Sequence, residues 1–360
     1  MRYIPIGCLR EGMVLGKNLY MPGGELLLAH DMPLTPRSIQ TIHRLGYQGV
    51  YIRDNLSEDL EIENVIKDEL RQKAVDSVRN VFMSSGQGDA KKLVQGFETS
   101  RDMVSQMVDE ILGNQNLMIN MVDLKVYNDY TFYHSVNVAV LSVLMGVSLN
   151  YSYGGLLRLG LGAILHDIGK VFIPSALLNK PGRLTDEEME EMKKHPKTGY
   201  DYLVNHAVFP SESYTAVLQH QERYNGSGYP YGLKGRQIGR NGKIIAVADV
   251  YDAMTSDRPY RRGIFPSEVM EYIIGGSSSM FDPEVVKVFV RKVAPYPVGM
   301  IVRLSNGEEA LVVKNYEGFG MRPRVRILEN RDGERRPVKE VSLRDDGTYL
   351  DVTISGIVEA

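Results

Sequence analysis

One segment constrains the fold more than any other. Leu156, Leu157, Leu159, Leu161, Ile164 and Leu165 lead into His166 and Asp167, within the stretch Gly162 to Lys170 that reads G-A-I-L-H-D-I-G-K. Apolar side chains at these spacings cover most of a helical surface, and a helix apolar nearly all round is buried. His166 and Asp167 therefore close a core helix. An ionisable group there is costly unless it is paired or bound to metal. Taken alone, the dipeptide fits a blander arrangement better: a satisfied core histidine, Asp167 capping the next turn, and Lys170 in water. Residues further along the chain change that balance.

At 360 residues the chain has room for two or three domains. Its 43% apolar and 24% charged content is that of an ordinary globular protein. A net charge of −3 argues against bulk attraction to a nucleic acid polymer or an anionic membrane. The single cysteine, Cys8, excludes an internal disulfide and fits a reducing compartment. The N-terminal residues lack an apolar core of signal-peptide length. The longest uncharged apolar run, Val138 to Leu149, is too short to span a bilayer. A cytoplasmic protein without a membrane span is expected.

The pattern divides the chain into four parts and predicts a multidomain, mainly α protein. Residues 1–54 read as a small α/β accessory or sensory domain. Short strands are expected at Met13–Tyr20, Leu26–Ala29 and Val50–Ile52, and Thr35-Pro36 opens a helix that stops at Gly46. Residues 55–118 read as a helical linker or stalk. Leu60, Ile62, Val65, Ile66 and Leu70 recur at roughly helical spacing, Ser84 to Gly88 interrupts them, and a second helix continues through Phe97, Met103, Met107 and Ile111. Such stripes suit a helical hairpin or a dimer-forming stalk, and equally suit packing against the next domain. Residues 119–294 are helical and hold five of the seven histidines, with Thr185 to Glu188 as a capping box and Asp282-Pro283 opening a late helix. Residues 295–360 turn β-rich, with strands expected at Met300–Leu304, Glu309–Lys314, Arg324–Leu328 and Tyr349–Ile354.

Within 119–294 the metal-competent residues are distributed one helix at a time. His134 opens an apolar helix, His166-Asp167 comes next, His195 lies in H-P-K-T-G, His220 ends a helix in V-L-Q-H-Q-E-R, and Asp249 sits inside I-I-A-V-A-D-V-Y-D-A. Helical bundles build metal sites by projecting such side chains into a shared interior. A mixed histidine and carboxylate set suits Fe, Mn or Zn. A bridging carboxylate with histidines on either side would hold two ions and favour phosphoryl displacement by water.

The ordered set H…HD…H…H…D resembles the HD metal-dependent phosphohydrolase superfamily. Asn225-Gly226-Ser227-Gly228-Tyr229-Pro230 matches the signature of its HD-GYP group, as do Y-T-x-x-H at 130–134, H-D-I-G-K at 166–170, H-P-x-x-G at 195–199 and D-x-Y-D-A-M-T-S-D-R-P-Y at 249–260. The resemblance implies an all-helical HD-type bundle that hydrolyses cyclic di-GMP to pGpG and GMP with two divalent ions, Fe or Mn. It implies His134, His166, Asp167, His195, His220 and Asp249 as ligands, with Asp167 bridging. Asp167 and Lys170 become the catalytic pair, with Lys170 at the scissile phosphate. Gly228, Tyr229, Pro230, Arg258 and Arg261 become the substrate-binding set, and the G-Y-P loop a place for a protein partner.

Two departures qualify this. The group has a second histidine where this chain has Gln221, so Gln221 is at best a weak ligand of the second ion. Members with three ions carry a glutamate where this chain has Tyr130, so a third ion is not expected. A degenerate cyclic di-GMP sensor or interaction protein, or a hydrolase of another cyclic nucleotide, remains the alternative. Glu222 is expected either to orient His220 or to form a surface ion pair. Asp252, one turn after Asp249, is expected to support rather than ligate. His30, His43 and His206 read as structural or surface residues, Met118 to Met121 as core. The cluster Arg322, Arg324, Arg326, Arg335 and Arg336, interleaved with acids, reads as a solvated sheet face.

Overall fold

A computed structural model describes residues 1–21, 25–47, 49–87, 90–114, 118–119, 130–180, 182–206, 210–256, 263–331 and 334–358. The chain forms two compact units, one of Met1–Asn64, Asn116–Asp129 and Val290–Ala360, the other of Val65–Gln115 and Tyr130–Phe289. The architecture is mainly helical, with strands confined, among the described residues, to the two ends of the chain.

The first unit begins with β1 (Arg2–Pro5), β2 (Val14–Leu15), β3 (Leu19–Tyr20), β4 (Leu26–Leu28), α1 (Pro36–Arg44) and β5 (Gly49–Arg53). A three-stranded antiparallel sheet has the order β1-β5-β2, and β3 pairs with β4. Thr35 caps α1 as expected: its Oγ1 accepts from Ser38 N at 3.1 Å, while Ser38 Oγ accepts from Thr35 N at 2.7 Å. Ile4, Leu15, Leu34, Ile42 and Val50 close the core of this part.

The second unit consists of α2 (Asp68–Gln87), α3 (Ala90–Gly113), α4 (Tyr130–Ser148), α5 (Tyr153–Ile164), α6 (Ser175–Leu178), α7 (Asp186–Met192), α8 (His195–His206), α9 (Ser211–Gln219), α10 (Arg240–Thr255), α11 (Pro266–Gly275) and most of α12 (Pro283–Lys292). One detail of the expected stalk differs. Leu60, Ile62, Val65 and Ile66 precede α2 rather than belonging to it, and the helix starts where Asp68 and Glu69 complement its dipole. The polar stretch from Ser84 is where this helix ends, at Gln87, before α3 begins at Ala90, though its first residues remain helical. Ser85 Oγ is satisfied by Val81 O at 2.8 Å, so its side chain bonds within the helix. Helices α2 and α3 pack as a hairpin through Val78, Val81, Phe97, Val104 and Met107, all buried. The window Thr131–Ser148 is long and apolar enough to cross a membrane, and 78% of it is buried inside the protein.

After α12 come β6 (Ile301–Leu304), β7 (Glu309–Lys314), β8 (Arg324–Arg331), β9 (Glu334–Ser342) and β10 (Ile354–Ile357), one antiparallel sheet ordered β10-β6-β7-β8-β9. The last strand lies later than Tyr349–Ile354, because Tyr349 and Val352 turn inward to fill the core instead. Strand β9 went unseen in the sequence because Arg335, Arg336, Pro337, Lys339 and Glu340 hide any apolar alternation. An edge position tolerates both the charge and the proline. Arg326 is not on a solvated face: it is 9% exposed, and its guanidinium pairs with Asp59 at 2.6 Å and Glu340 at 2.7 Å.

Candidate metal centre

Four histidines converge in the helical unit, each delivered by a different backbone segment. His134 lies in the first turns of α4, His166 just past the end of α5, His195 at the start of α8 and His220 at the end of α9. Asp167 adjoins His166, and Asp249 projects from α10. All six are buried. Ring centroids lie 5.1 Å apart for His134 and His166, 5.0 Å for His166 and His220, and 5.2 Å for His195 and His220.

The orientation of each ring is set by its Nδ1. In His166, His195 and His220 this atom meets the carbonyl three residues earlier, Ala163, Met192 and Val217, at 2.7, 2.8 and 2.7 Å. A carbonyl only accepts, so Nδ1 carries the proton and Nε2 keeps its lone pair. His134 Nδ1 instead meets Asp252 Oδ2 at 2.7 Å. Asp252 is held by Asn137 Nδ2 at 3.0 Å, and Asn137 Oδ1 accepts from Arg71 of α2 at 2.5 Å. All four Nε2 atoms thus face one interior, and Asp252 is a supporting residue, as expected.

Asp167 divides that interior in two. Its Oδ2 lies 3.3 Å from His166 Nε2 and 3.8 Å from His134 Nε2, while Oδ1 lies 3.5 Å from His195 Nε2 and 3.8 Å from His220 Nε2. Asp249 Oδ1 joins the first group, 3.2 Å from His134 Nε2 and 3.9 Å from His166 Nε2. Overlapping donor sets result, with ligand atoms within 4.8 Å of one another. Asp167 Oδ1 and His166 Nε2 are buried without a hydrogen-bond partner. Folded proteins rarely leave such atoms orphaned unless an ion or water serves them.

The charge states suit cation binding. Burial and the surrounding imidazoles hold His220 well below its ordinary pKa, and burial lowers His195 to about 4, so both are neutral donors. Burial alone would raise the pKa of Asp167, but Lys170 and His166 outweigh it and keep the carboxylate ionised. Asp249 is likewise held down by His134 against the effect of burial. Burial would also lower His134, yet bonds to Asp249 and Asp252 push it up to about 9. A positive charge is therefore favoured where these groups meet. The residues present fit divalent ions.

Glycines bring the two halves of the centre together. Lys170 adjoins Gly169, and a Cβ at Gly169 would stand 1.9 Å from His195 O and 2.7 Å from Gly199 N. The H-D-I-G-K turn and the H-P-K-T-G helix thus touch backbone to backbone, which seats His195 beside Asp167.

A cavity of about 240 Å³ opens on the centre, lined in part by Thr131, Lys170, Gln221 and Arg223. Lys170 Nζ reaches Asp167 Oδ2 at 2.6 Å. Gln221 Nε2 donates to Asp249 Oδ2 at 2.9 Å, which turns its amide nitrogen toward the donor cluster. The ring of Tyr229 lies 6.2 Å from that of His195, and burial raises its pKa. Gly228 is required: a Cβ there would meet Arg223 N at 2.3 Å and Gln221 O at 2.5 Å. Pro230 is joined to Tyr229 by a cis bond. Arg258 and Arg261 lie outside the described residues.

Glu222 neither orients His220 nor forms a surface ion pair. It is buried, and its carboxylate accepts from Tyr231 N at 2.8 Å and Leu233 N at 2.9 Å, pinning the loop. His206 bonds to Tyr202 O at 2.7 Å, away from the centre. The residue that sequence reasoning missed is Arg223. Its place three residues after a ligand histidine was the only available signal.

The fold and the donor set define the HD class of helical metal-binding bundles. Comparison with known proteins agrees: the HD domain matches residues 111–285, and a KOW domain associated with HD domain matches residues 301–350. A cyclic di-GMP phosphodiesterase of Pseudomonas aeruginosa is 36% identical over 66% of this chain and 58% of its own length. One of Thermotoga maritima is 34% identical over 62% of this chain and 59% of its own. The chain therefore spans less than two thirds of the length of these relatives. Among solved structures, the HDG"Y"P protein Bd1817 of Bdellovibrio bacteriovorus shares the fold, with a TM-score of 0.53 at 17% identity over 80% of this chain and 97% of that one. Residues 111–285 thus match the HD domain, and the chain is similar to cyclic di-GMP phosphodiesterases.

Proposed function

We propose that this protein is a cytoplasmic, metal-dependent phosphodiesterase that hydrolyses cyclic di-GMP to pGpG and GMP. The division of four histidines between the two oxygens of Asp167 carries the reading. His134, His166, Asp167 and Asp249 would hold one ion; Asp167, His195 and His220, with Gln221 as a weak addition, would hold the second, with Fe or Mn as the metals. Bound there, the ions supply Lewis acidity and lower the pKa of coordinated water. The names of the relatives supply the substrate.

The chain's own residues do the rest. Lys170, half-buried at the cavity wall, balances charge on the phosphoryl oxygens once Asp167 is engaged with the ions. Water adds to phosphorus in line and the 3′ oxygen departs with a proton, leaving a linear dinucleotide. Tyr229, held rigid between Gly228 and Pro230, forms the wall beside His195. Arg258 and Arg261 take the outer phosphates or guanines in this reading.

The G-Y-P loop serves as a docking point for a protein partner, with Tyr231, 56% exposed, next to it. A homodimer through 55–118 would use the outer face of the α2–α3 hairpin, where Met83 and Val94 are exposed. The test is turnover by purified protein loaded with Mn or Fe, with products separated by chromatography. Hydrolysis to pGpG supports the reading. Binding of cyclic di-GMP without hydrolysis under any metal would instead make the protein a sensor.

A further inference from the structure

We infer that Arg223 is the binding residue for the non-reacting phosphate of a cyclic dinucleotide; this rests on the function proposed above. Three observations carry it. Arg223 lines the same cavity as Lys170, so it stands within the space a substrate phosphate enters. Its Nη1 is buried without any hydrogen-bond partner. Among the described residues no carboxylate forms an ion pair with it, whereas Lys170 is committed to Asp167 at 2.6 Å. Arg223 is only half-buried, so its positive charge stands unpaired at the cavity wall, and an anion arriving in the cavity would form a charge-assisted pair with the part of the guanidinium that remains accessible.

The side chain is also held ready. Its guanidinium lies over the ring of Phe281, 5.8 Å from the centroid. Its backbone is fixed between Gln221 and the loop at Gly228, where a side chain would collide with Arg223 N at 2.3 Å. Neither restraint satisfies the charge.

The described part of the cavity is small and polar-lined, which suits a phosphate. At about 240 Å³ it falls short of the roughly 300–1,000 Å³ of pockets that engulf a drug-sized ligand. In the ring of a cyclic dinucleotide the second phosphate is one ribose away from the first. With the reacting phosphate at the ions and Lys170, Arg223 is the remaining cation among the described residues that line the cavity, leaving the guanines to Arg258 and Arg261.

The experiment compares cyclic di-GMP with linear GpG, which has the same bases and one phosphodiester but no second phosphate. Arg223→Met and Arg223→Lys are prepared with metal content measured per chain. Arg223→Met should raise KM for cyclic di-GMP about ten- to a hundredfold, the loss of one charge-assisted pair, with kcat changed much less. GpG, followed as substrate or as competitive inhibitor, should change less than about threefold on the same scale. Arg223→Lys should recover part of the cyclic di-GMP affinity. Equal losses for both ligands, or a fall in metal content, would make Arg223 a structural residue and overturn the inference. Unchanged KM would overturn it as well, while leaving the phosphodiesterase reading intact. A wild type that acts on GpG but not on cyclic di-GMP would overturn both.

Discussion

The contact between the H-D-I-G-K turn and the start of α8 can be tested with a single methyl group. In Gly169→Ala the new Cβ would lie 1.9 Å from His195 O and 2.7 Å from Gly199 N. Both are main-chain atoms, so no side chain can swing aside. Ordinary carbon contacts begin near 3.4 Å, so the turn and the helix must part by about 1.5 Å, the difference between 3.4 and 1.9. Metal–ligand distances tolerate only about 0.2 Å. Asp167 Oδ1 and His195 Nε2, now 3.5 Å apart, would no longer share an ion, whereas His166 and Asp167 move together and keep the first donor set. Overpacking should cost about 1–3 kcal/mol, a fall in Tm of a few degrees for a unit of this size. Metal content by mass spectrometry should fall to about one ion per chain, or less, and turnover with it, while circular dichroism stays helical. A Gly169→Ala protein that binds metal and turns over like wild type would refute the claim that this backbone contact positions His195.

The same geometry sets three further outcomes. Gln221→His should raise metal occupancy and turnover together; two tight ions in wild type, with no change on substitution, would show that Gln221 does not limit the site. Asp252→Ala removes the acceptor of His134 Nδ1 and should weaken metal binding about 10–100-fold in a chelator competition, with the fold retained. Arg258→Ala, chosen on its motif position, should weaken cyclic di-GMP binding by about 1.5–3 kcal/mol in calorimetry, and unchanged affinity would remove it from the contact set.

The convergence of these histidines and aspartates was legible because its chemistry is local. Each histidine or aspartate sits beside an apolar run that must be buried, and a buried imidazole or carboxylate needs a partner. The supporting residues were less legible, since direction is not encoded by adjacency. Glu222 adjoins Gln221 and lies two residues from His220, yet the chain leaves α9 there and aims the carboxylate at the amides of Tyr231 and Leu233. Arg223 gave little warning because an arginine is ordinarily read as solvated; only its missing partner marks it. The same limit applied outside the site. Residues from Leu60 to Ile66 have helical spacing without being helical, and β9 has a strand's pairing without its apolar alternation.

Three of the four imidazoles take their aim from the carbonyl one turn back in their own segment, so each ring is oriented locally. His134 is wired differently. Its proton faces Asp252, Asp252 is steadied by Asn137, and Asn137 is gripped by Arg71 on α2. The hairpin is therefore linked to His134 by a chain of side-chain hydrogen bonds of a kind the other three histidines do not show. A change in α2 that moved Arg71 would alter the acceptor of His134 Nδ1 and with it the basicity of that ring, which makes His134 the corner of the centre most directly wired to the hairpin.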